Sequence, residues 1–443
     1  MAKTKRASLI SLIFAAGLLM LTGCGNGGST EQVNGTDIAG AKTESGSKPP
    51  AQNFSTDPVT LDILASTTEL NFDTMLIQPV KKKYPFITLN IIQKGKGNSV
   101  QELITSGQLP DLITDWTGGL TGKKQFGIFF DITPLLKSHN VDLNRFQPNV
   151  VEAMRTSADN NEIYGLPFNS QLFLMFYNKD IFDKFGVPYP KDGLTWDETI
   201  EIAKKVTRLD GGTQYRGLDP DTIQRVALSL SQNVVNGKTD KPEVNNEQWK
   251  RVFELGKRMF AIPGNQLTKN AFDDFAKDRR LAMLASYNRF AQFKEPSETG
   301  LNWDIAQYPS FSDKPNTYGL SNPWMMLITS TSKHKDQAMQ VLEVLTSDEV
   351  QLVNARTEAK LPPLVNPEMQ KQFGADVPYL KGKHIASIFK SQPAPAPAYS
   401  DYYSKAVSLV VTSFNEYNAG KKDVNTALRE AEENINQMIR DSK

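Results

Sequence analysis

The stretch that decides the fold runs from residue 59 to residue 116. It reads VTLDILA (59–65), then FDTMLIQPVKKKY (72–84), ITLNIIQ (87–93), VQELITS (100–106) and DLITDW (111–116). The first, third and last pieces are short, apolar and β-branched, and predict strands. The second and fourth predict helices, the second despite Pro79. Strands alternating with helices build a parallel sheet, so the fold class is α/β.

Working outward, the same alternation continues. Phe173–Tyr177 predicts a strand, followed by a helix from Lys179 to Phe185. A helix from Thr195 to Leu209 carries its own start signal, with Thr195 as N-cap and Glu198 three residues on. Leu281–Ala285 and Trp324–Ile328 predict buried strands. Asp336, Ala338, Val341, Leu342 and Leu345 recur at helical spacing, and a last helix spans Val424–Ile439. The run Pro393-Ala394-Pro395-Ala396-Pro397 predicts a stiff extended connection at the surface. Trp196, Trp249, Trp303 and Tyr177 fall at packing positions.

The first residues predict export. Lys3, Lys5 and Arg6 precede an apolar run from Leu9 to Met20, and Leu21-Thr22-Gly23-Cys24 follows at once. A basic start, a short apolar core and small residues before a cut mark a secretory signal, here residues 1–23. The run is shorter than the roughly 20 residues that a membrane span needs. Cys24 is the only cysteine, so no internal disulfide can form. The Leu-Thr-Gly-Cys run resembles a bacterial lipobox, which implies a lipid on Cys24 and a membrane attachment. Stable attachment takes two acyl signals, each buried CH₂ contributing about 0.8 kcal/mol. Residues 24–57, rich in Gly, Ser, Thr and Asn, predict a disordered tether.

Charge narrows the partners. The chain carries 50 Lys+Arg and 49 Asp+Glu, and loss of residues 1–23 removes three bases, leaving a formal charge of −2. Near-neutrality argues against nucleic acid, which wants a clustered basic face. The 420 remaining residues exceed one ordinary core and predict two lobes. Three histidines, His139, His334 and His384, stand far apart with no metal spacing. No Gly-x-Ser-x-Gly elbow occurs, and the glycines at 118–122 and 237 fit turns better than phosphate loops. These readings predict no metal, no cofactor and no catalytic residue. A paired-carboxylate glycosidase stays open as an alternative.

Several motifs, in order, resemble the bacterial extracellular solute-binding proteins of the carbohydrate type that serve ABC importers. They are LPDL (109–112), IYGLPF (163–168), FYNKDIF (176–182), GVP (186–188), TWDE (195–198), LAM (281–283), WDIA (303–306) and SKHKD (332–336). The resemblance covers about residues 58–440. It departs around Ala282–Ala285 and between Pro362 and Pro397.

That resemblance implies a two-lobed periplasmic-binding-protein-like fold of type II, with lobes joined by hinge crossings near 167–171, 284–287 and 320–324. One lobe is expected from residues 58–168 plus 286–323, the other from 169–285 plus 324–443. It implies a monomer that holds a carbohydrate, an oligosaccharide, between its lobes and delivers it to an ABC permease. A membrane sensor built on the same body is an alternative.

Ligands of open α/β sheets bind beyond the carboxyl ends of the strands. That rule selects Thr67, Thr68 and Glu69 after the first strand and Asp115 and Trp116 at the end of the third. It adds Asn169 and Gln171 at the first crossing, Tyr287, Asn288 and Arg289 after the strand at 281, and Asn322 and Trp324 at the last crossing. Thr67, Glu69, Asp115, Trp116, Asn169, Gln171, Tyr287, Arg289 and Trp324 are the expected ligand contacts. Aromatic rings for apolar sugar faces and polar groups for hydroxyls are what such a ligand needs.

Overall fold

The structure is a computed structural model and describes residues 54–158 and 160–442. The expected signal, Cys24 and most of the tether lie outside the described residues. No described helix is long and apolar enough to cross a membrane.

The described strands are β1 (Val59–Ala65), β2 (Ile87–Gln93), β3 (Leu112–Trp116), β4 (Gly165–Asn169), β5 (Phe173–Asn178), β6 (Arg208–Asp210), β7 (Thr213–Asp219), β8 (Leu281–Tyr287), β9 (Trp303–Gln307), β10 (Thr317–Leu320), β11 (Trp324–Ile328) and β12 (Gln392–Ala394). They form two five-stranded sheets, ordered β2-β1-β3-β11-β4 and β6-β7-β8-β5-β9, and a pair β10-β12. In the first sheet β1, β2 and β3 run parallel, and β11 runs antiparallel between β3 and β4. In the second, β7 and β8 are parallel, and β5 is antiparallel to β8 and β9.

Each sheet carries its own core. Strand β5 is buried on both faces, so its residues alternate between two clusters. Phe173, Met175 and Tyr177 point to one that includes Trp196, Trp249 and Phe253. Leu174 and Phe176 point to the other, where Phe293 stacks on Phe176 at 4.6 Å and on Trp303 at 4.4 Å. The expected packing tryptophans are therefore core residues.

Sheet membership corrects the expected lobe boundaries. Trp303–Gln307 pairs with β5, so residues 286–323 go with the second lobe. Trp324–Ile328 pairs with β3 and β4, so the helices at 335–345 and 348–353 belong to the first. The helices Tyr403–Asn418 and Val424–Ser442 stay with the second lobe. Two crossings lie where expected, between β4 and β5 and between β10 and β11. None occurs at 284–287, because β8 is paired throughout within the second sheet. Beyond β11 the chain passes between the lobes more than once: Ala355 packs on the first, Leu361 packs on the second and bridges to Ser170, Leu364 and Met369 pack on the first, and Phe373 returns to the second.

Local chemistry explains the departures in the elements. The helix expected over 72–84 opens with a π-turn, Asp73–Ile77, before Gln78–Lys83, because Pro79 has no N–H for the Met75 carbonyl. The helix capped by Thr195 and Glu198 forms as expected but ends at Val206. Residues 208–210 instead make a hairpin through Gly211 and Gly212, both at positive φ (55° and 80°), the geometry of a tight two-residue turn. The Pro-Ala run is not a surface connection throughout: Ala394 is buried in β12. The expected tether also ends earlier than residue 57. The Phe54 ring stacks on His139 at 4.0 Å, and that imidazole bonds Glu343 (2.6 Å) and Asp336 (3.1 Å).

Candidate functional site

The register of the first sheet sets three polar or aromatic side chains in a row. Trp324, at the start of β11, lies opposite Trp116 at the end of β3 and opposite Asn169 at the end of β4. In the second sheet Tyr287, at the end of β8, lies opposite Phe173, at the start of β5. These two strand ends flank a cavity of about 340 Å³. The first lobe lines it with Glu69, Trp116 and Trp324, and the crossings add Gln171 and Asn322. The second lobe adds Phe173, Tyr287, Gln224, Arg225, Leu228 and Tyr403.

Five of the nine expected contacts therefore line one cavity: Glu69, Trp116, Gln171, Tyr287 and Trp324. The other four stand outside the lining and act on it. The Thr67 hydroxyl accepts the Glu69 N–H (2.9 Å), and the Asn169 amide donates to the Glu69 carbonyl (3.1 Å), so both shape the Glu69 loop. Asp115 pairs with Lys123 and accepts the Trp116 N–H, which ties it to the Trp116 backbone. Arg289 pairs with Asp221 (2.6 Å) instead of lining the cavity. Phe173, Gln224, Arg225, Leu228 and Tyr403 were not among the expected contacts.

Trp116 spans the two lobes. Its indole meets Tyr399 and Tyr403 of the second lobe edge-to-face, at 5.3 and 6.5 Å. Tyr399 in turn donates its hydroxyl to the Asn322 side-chain oxygen (2.8 Å), and Gln224 donates to the Tyr403 hydroxyl (2.7 Å). Burial pushes both tyrosine hydroxyls well above their ordinary range, so they stay neutral. Gly118 makes room for the indole. A Cβ there would lie 2.2 Å from the ring. Gly118→Ala is expected to swing the indole out of the cavity, since overpacking costs about 1–3 kcal/mol if nothing moves. Ligand affinity should fall while the melting temperature holds; an unchanged affinity would sink this role.

The charged part of the wall is a network at the start of the helix Ile223–Leu228. Asp221 takes Arg225, Arg289 and the Ser286 hydroxyl (2.5 Å) on one carboxylate oxygen. Burial would raise its pKa, but the two guanidinium charges and the hydroxyl outweigh that and hold it below the usual Asp range. Across the cavity, the Glu69 carboxylate is paired with Lys360. Glu69 is the only carboxylate among the lining residues.

A family model described as bacterial extracellular solute-binding protein matches residues 65–352. The chain belongs to that family. Its members act outside the cytoplasm, and its homologues are solute-binding proteins, not enzymes. A binding protein of Brucella abortus is 24% identical over 244 residues, 52% of this chain, and the match spans only 57% of that relative's length. The lactose-binding protein of Rhizobium radiobacter is 29% identical over 154 residues, 32% of this chain and 35% of the relative. Among solved structures, an ABC substrate-binding protein of Listeria monocytogenes in complex with cycloalternan aligns with a TM-score of 0.70 at 19% identity, covering 86% of this chain and 99% of that one. The sugar-binding protein MalE of Xanthomonas citri gives 0.69 at 19%, covering 87% and 98%. Such likenesses establish the two-lobed fold.

Proposed function

We propose that this solute-binding protein captures a carbohydrate, an oligosaccharide, between its lobes and delivers it to an ABC permease, held at the membrane by a lipid on Cys24. The observation that carries the carbohydrate reading is the lining of the interlobe cavity. Aromatic surface from both lobes, Trp116, Trp324 and Phe173, surrounds amides and a guanidinium. Sugars present apolar C–H faces and polar edges, which such a wall matches. The glycosidase alternative needs two facing carboxylates, and Glu69 has no second carboxylate beside it on the lining.

Closure of the lobes follows from ligand affinity alone, because a ligand shifts an equilibrium only by its differential affinity for the closed state. A thermal-shift panel of mono- and oligosaccharides tests the reading. A ligand at a hundred times its Kd stabilises the native state by about 2.7 kcal/mol, so a binder should raise Tm clearly. No shift and no calorimetric heat with any saccharide would overturn it. Loss of uptake of that saccharide on deletion checks delivery, and release into the soluble fraction of a Cys24→Ala protein checks the anchor.

A further inference from the structure

Resting on that solute-binding reading, the charges on the cavity wall narrow the ligand class. Two charged side chains line the cavity, Glu69 and Arg225. Glu69 is neutralised by Lys360. Arg225 is not matched in the same way, because its carboxylate, Asp221, is shared with Arg289. Two guanidinium ions thus divide one negative charge. The next carboxylate along the chain, Asp219, is held by Arg216 (2.6 Å). Arg216 is itself shared with Asp274, which Arg280 also holds, so what distinguishes the cavity wall is local: two guanidinium groups meet a single carboxylate there.

Around Arg225 the free hydrogen-bond groups are donors, while the amide oxygens of Gln171 and Gln224 remain as acceptors elsewhere on the lining. Both bonds of Arg225 to the network leave through Nη1, so Nε and Nη2 have no hydrogen-bond partner among the described residues. Neither indole N–H of Trp116 and Trp324 has one there. The Asn322 amide oxygen is taken by Tyr399, which leaves its NH₂ free to donate. Tyr287 cannot offer an unobstructed stacking face either: the Arg225 and Arg289 guanidinium carbons lie 4.4 and 4.6 Å from its centroid. The ring stabilises the two cations. A sugar hydroxyl donates as well as accepts, whereas a carboxylate only accepts and fits the guanidinium fork.

We propose that the solute is an acidic saccharide, a uronic-acid oligomer, whose carboxylate pairs with Arg225.

Calorimetry with matched pairs tests this: a trisaccharide of galacturonic acid against its neutral galactose counterpart, and glucuronate oligomers against glucose oligomers. A hydrogen bond to a charged group contributes about 1.5–3 kcal/mol, so the acid of the preferred pair should bind about tenfold or more tighter. That preference should weaken in high salt. Arg225→Gln should reduce the acid to the affinity of its neutral counterpart, and Arg225→Lys should recover part of the difference. Arg289 still holds Asp221 in both variants, and thermal melting verifies their fold. If a variant does not fold, the salt dependence of the natural protein decides alone. A neutral oligosaccharide bound as tightly as its acid, or a preference that survives Arg225→Gln, overturns the proposal while the carbohydrate reading stands. No binding of any saccharide, acidic or neutral, overturns both.

Discussion

Arg216→Met is expected to lower the stability of the protein by about 3–5 kcal/mol, the usual cost of removing one partner from a buried ion cluster. Arg216 is nearly inaccessible, as are Asp219 and Asp274, to which it donates at 2.6 and 2.7 Å. Removing it leaves Asp219 with no cation and Asp274 with only Arg280. The two carboxylates do not respond alike. Burial already raises the Asp219 pKa despite Arg216. For Asp274, burial is outweighed by hydrogen bonds from Thr268 and Arg280 and by the charges of Arg216 and Arg280, and its pKa is lowered. A lowered carboxylate contributes stability that is present above its unfolded pKa and lost as pH falls through the folded value. The Asp274 contribution should therefore disappear on acidification below the ordinary Asp range, and it should shrink in the variant. Urea unfolding of both proteins across that range checks this, and a variant as stable as the parent at neutral pH would refute it.

Trp116→Ala is expected to weaken ligand binding by at least about thirtyfold, since buried aromatic anchors at the centre of an interface contribute about 2 kcal/mol or more. Two losses add. The ligand loses a broad apolar surface on the first lobe, and that lobe loses its edge-to-face contact with Tyr399 and Tyr403. The second loss acts without ligand, so the apo protein should populate more open arrangements. Small-angle scattering of the ligand-free variant should show a larger radius of gyration, and calorimetry the weaker affinity. Equal affinity in variant and parent would remove Trp116 from the site.

What the sequence made legible follows from how local each signal is. Strand and helix identities rest on period and capping, and those held: Lys179–Phe185 and Trp324–Ile328 were read to the residue, and Thr195 with Glu198 makes its capping box. The Gly211-Gly212 hairpin was just as local a signal and was overlooked under the helical run before it. Lobe membership failed for another reason. Motif order says that β9 and β11 exist, but only pairing across long separations says that β9 joins β5 and β11 joins β3.

The site divides the same way. Glu69, Trp116 and Tyr287 follow parallel strands and were found by the strand-end rule. Asp115, the neighbour of Trp116 on the same strand end, is not on the lining and pairs with Lys123, a partner that no strand-end rule selects. Gln224, Arg225, Leu228 and Tyr403 come from helices, whose inward face is set by docking and not by any strand end.

The row formed by Trp116, Trp324 and Asn169 sits at the rim of its sheet, Trp324 half-buried against the core in which Met325–Ile328 are fully buried. On the proposed reading, the residues that meet the solute and those that fill the core are thus largely different letters of the same strand. A lineage that exchanges the rim residues for a new solute disturbs only the edge of the packing and leaves the fully buried residues behind them in place. A library randomised at Trp116, Gln171, Arg225, Asn322 and Trp324 should accordingly stay largely folded while its members diverge in what they carry.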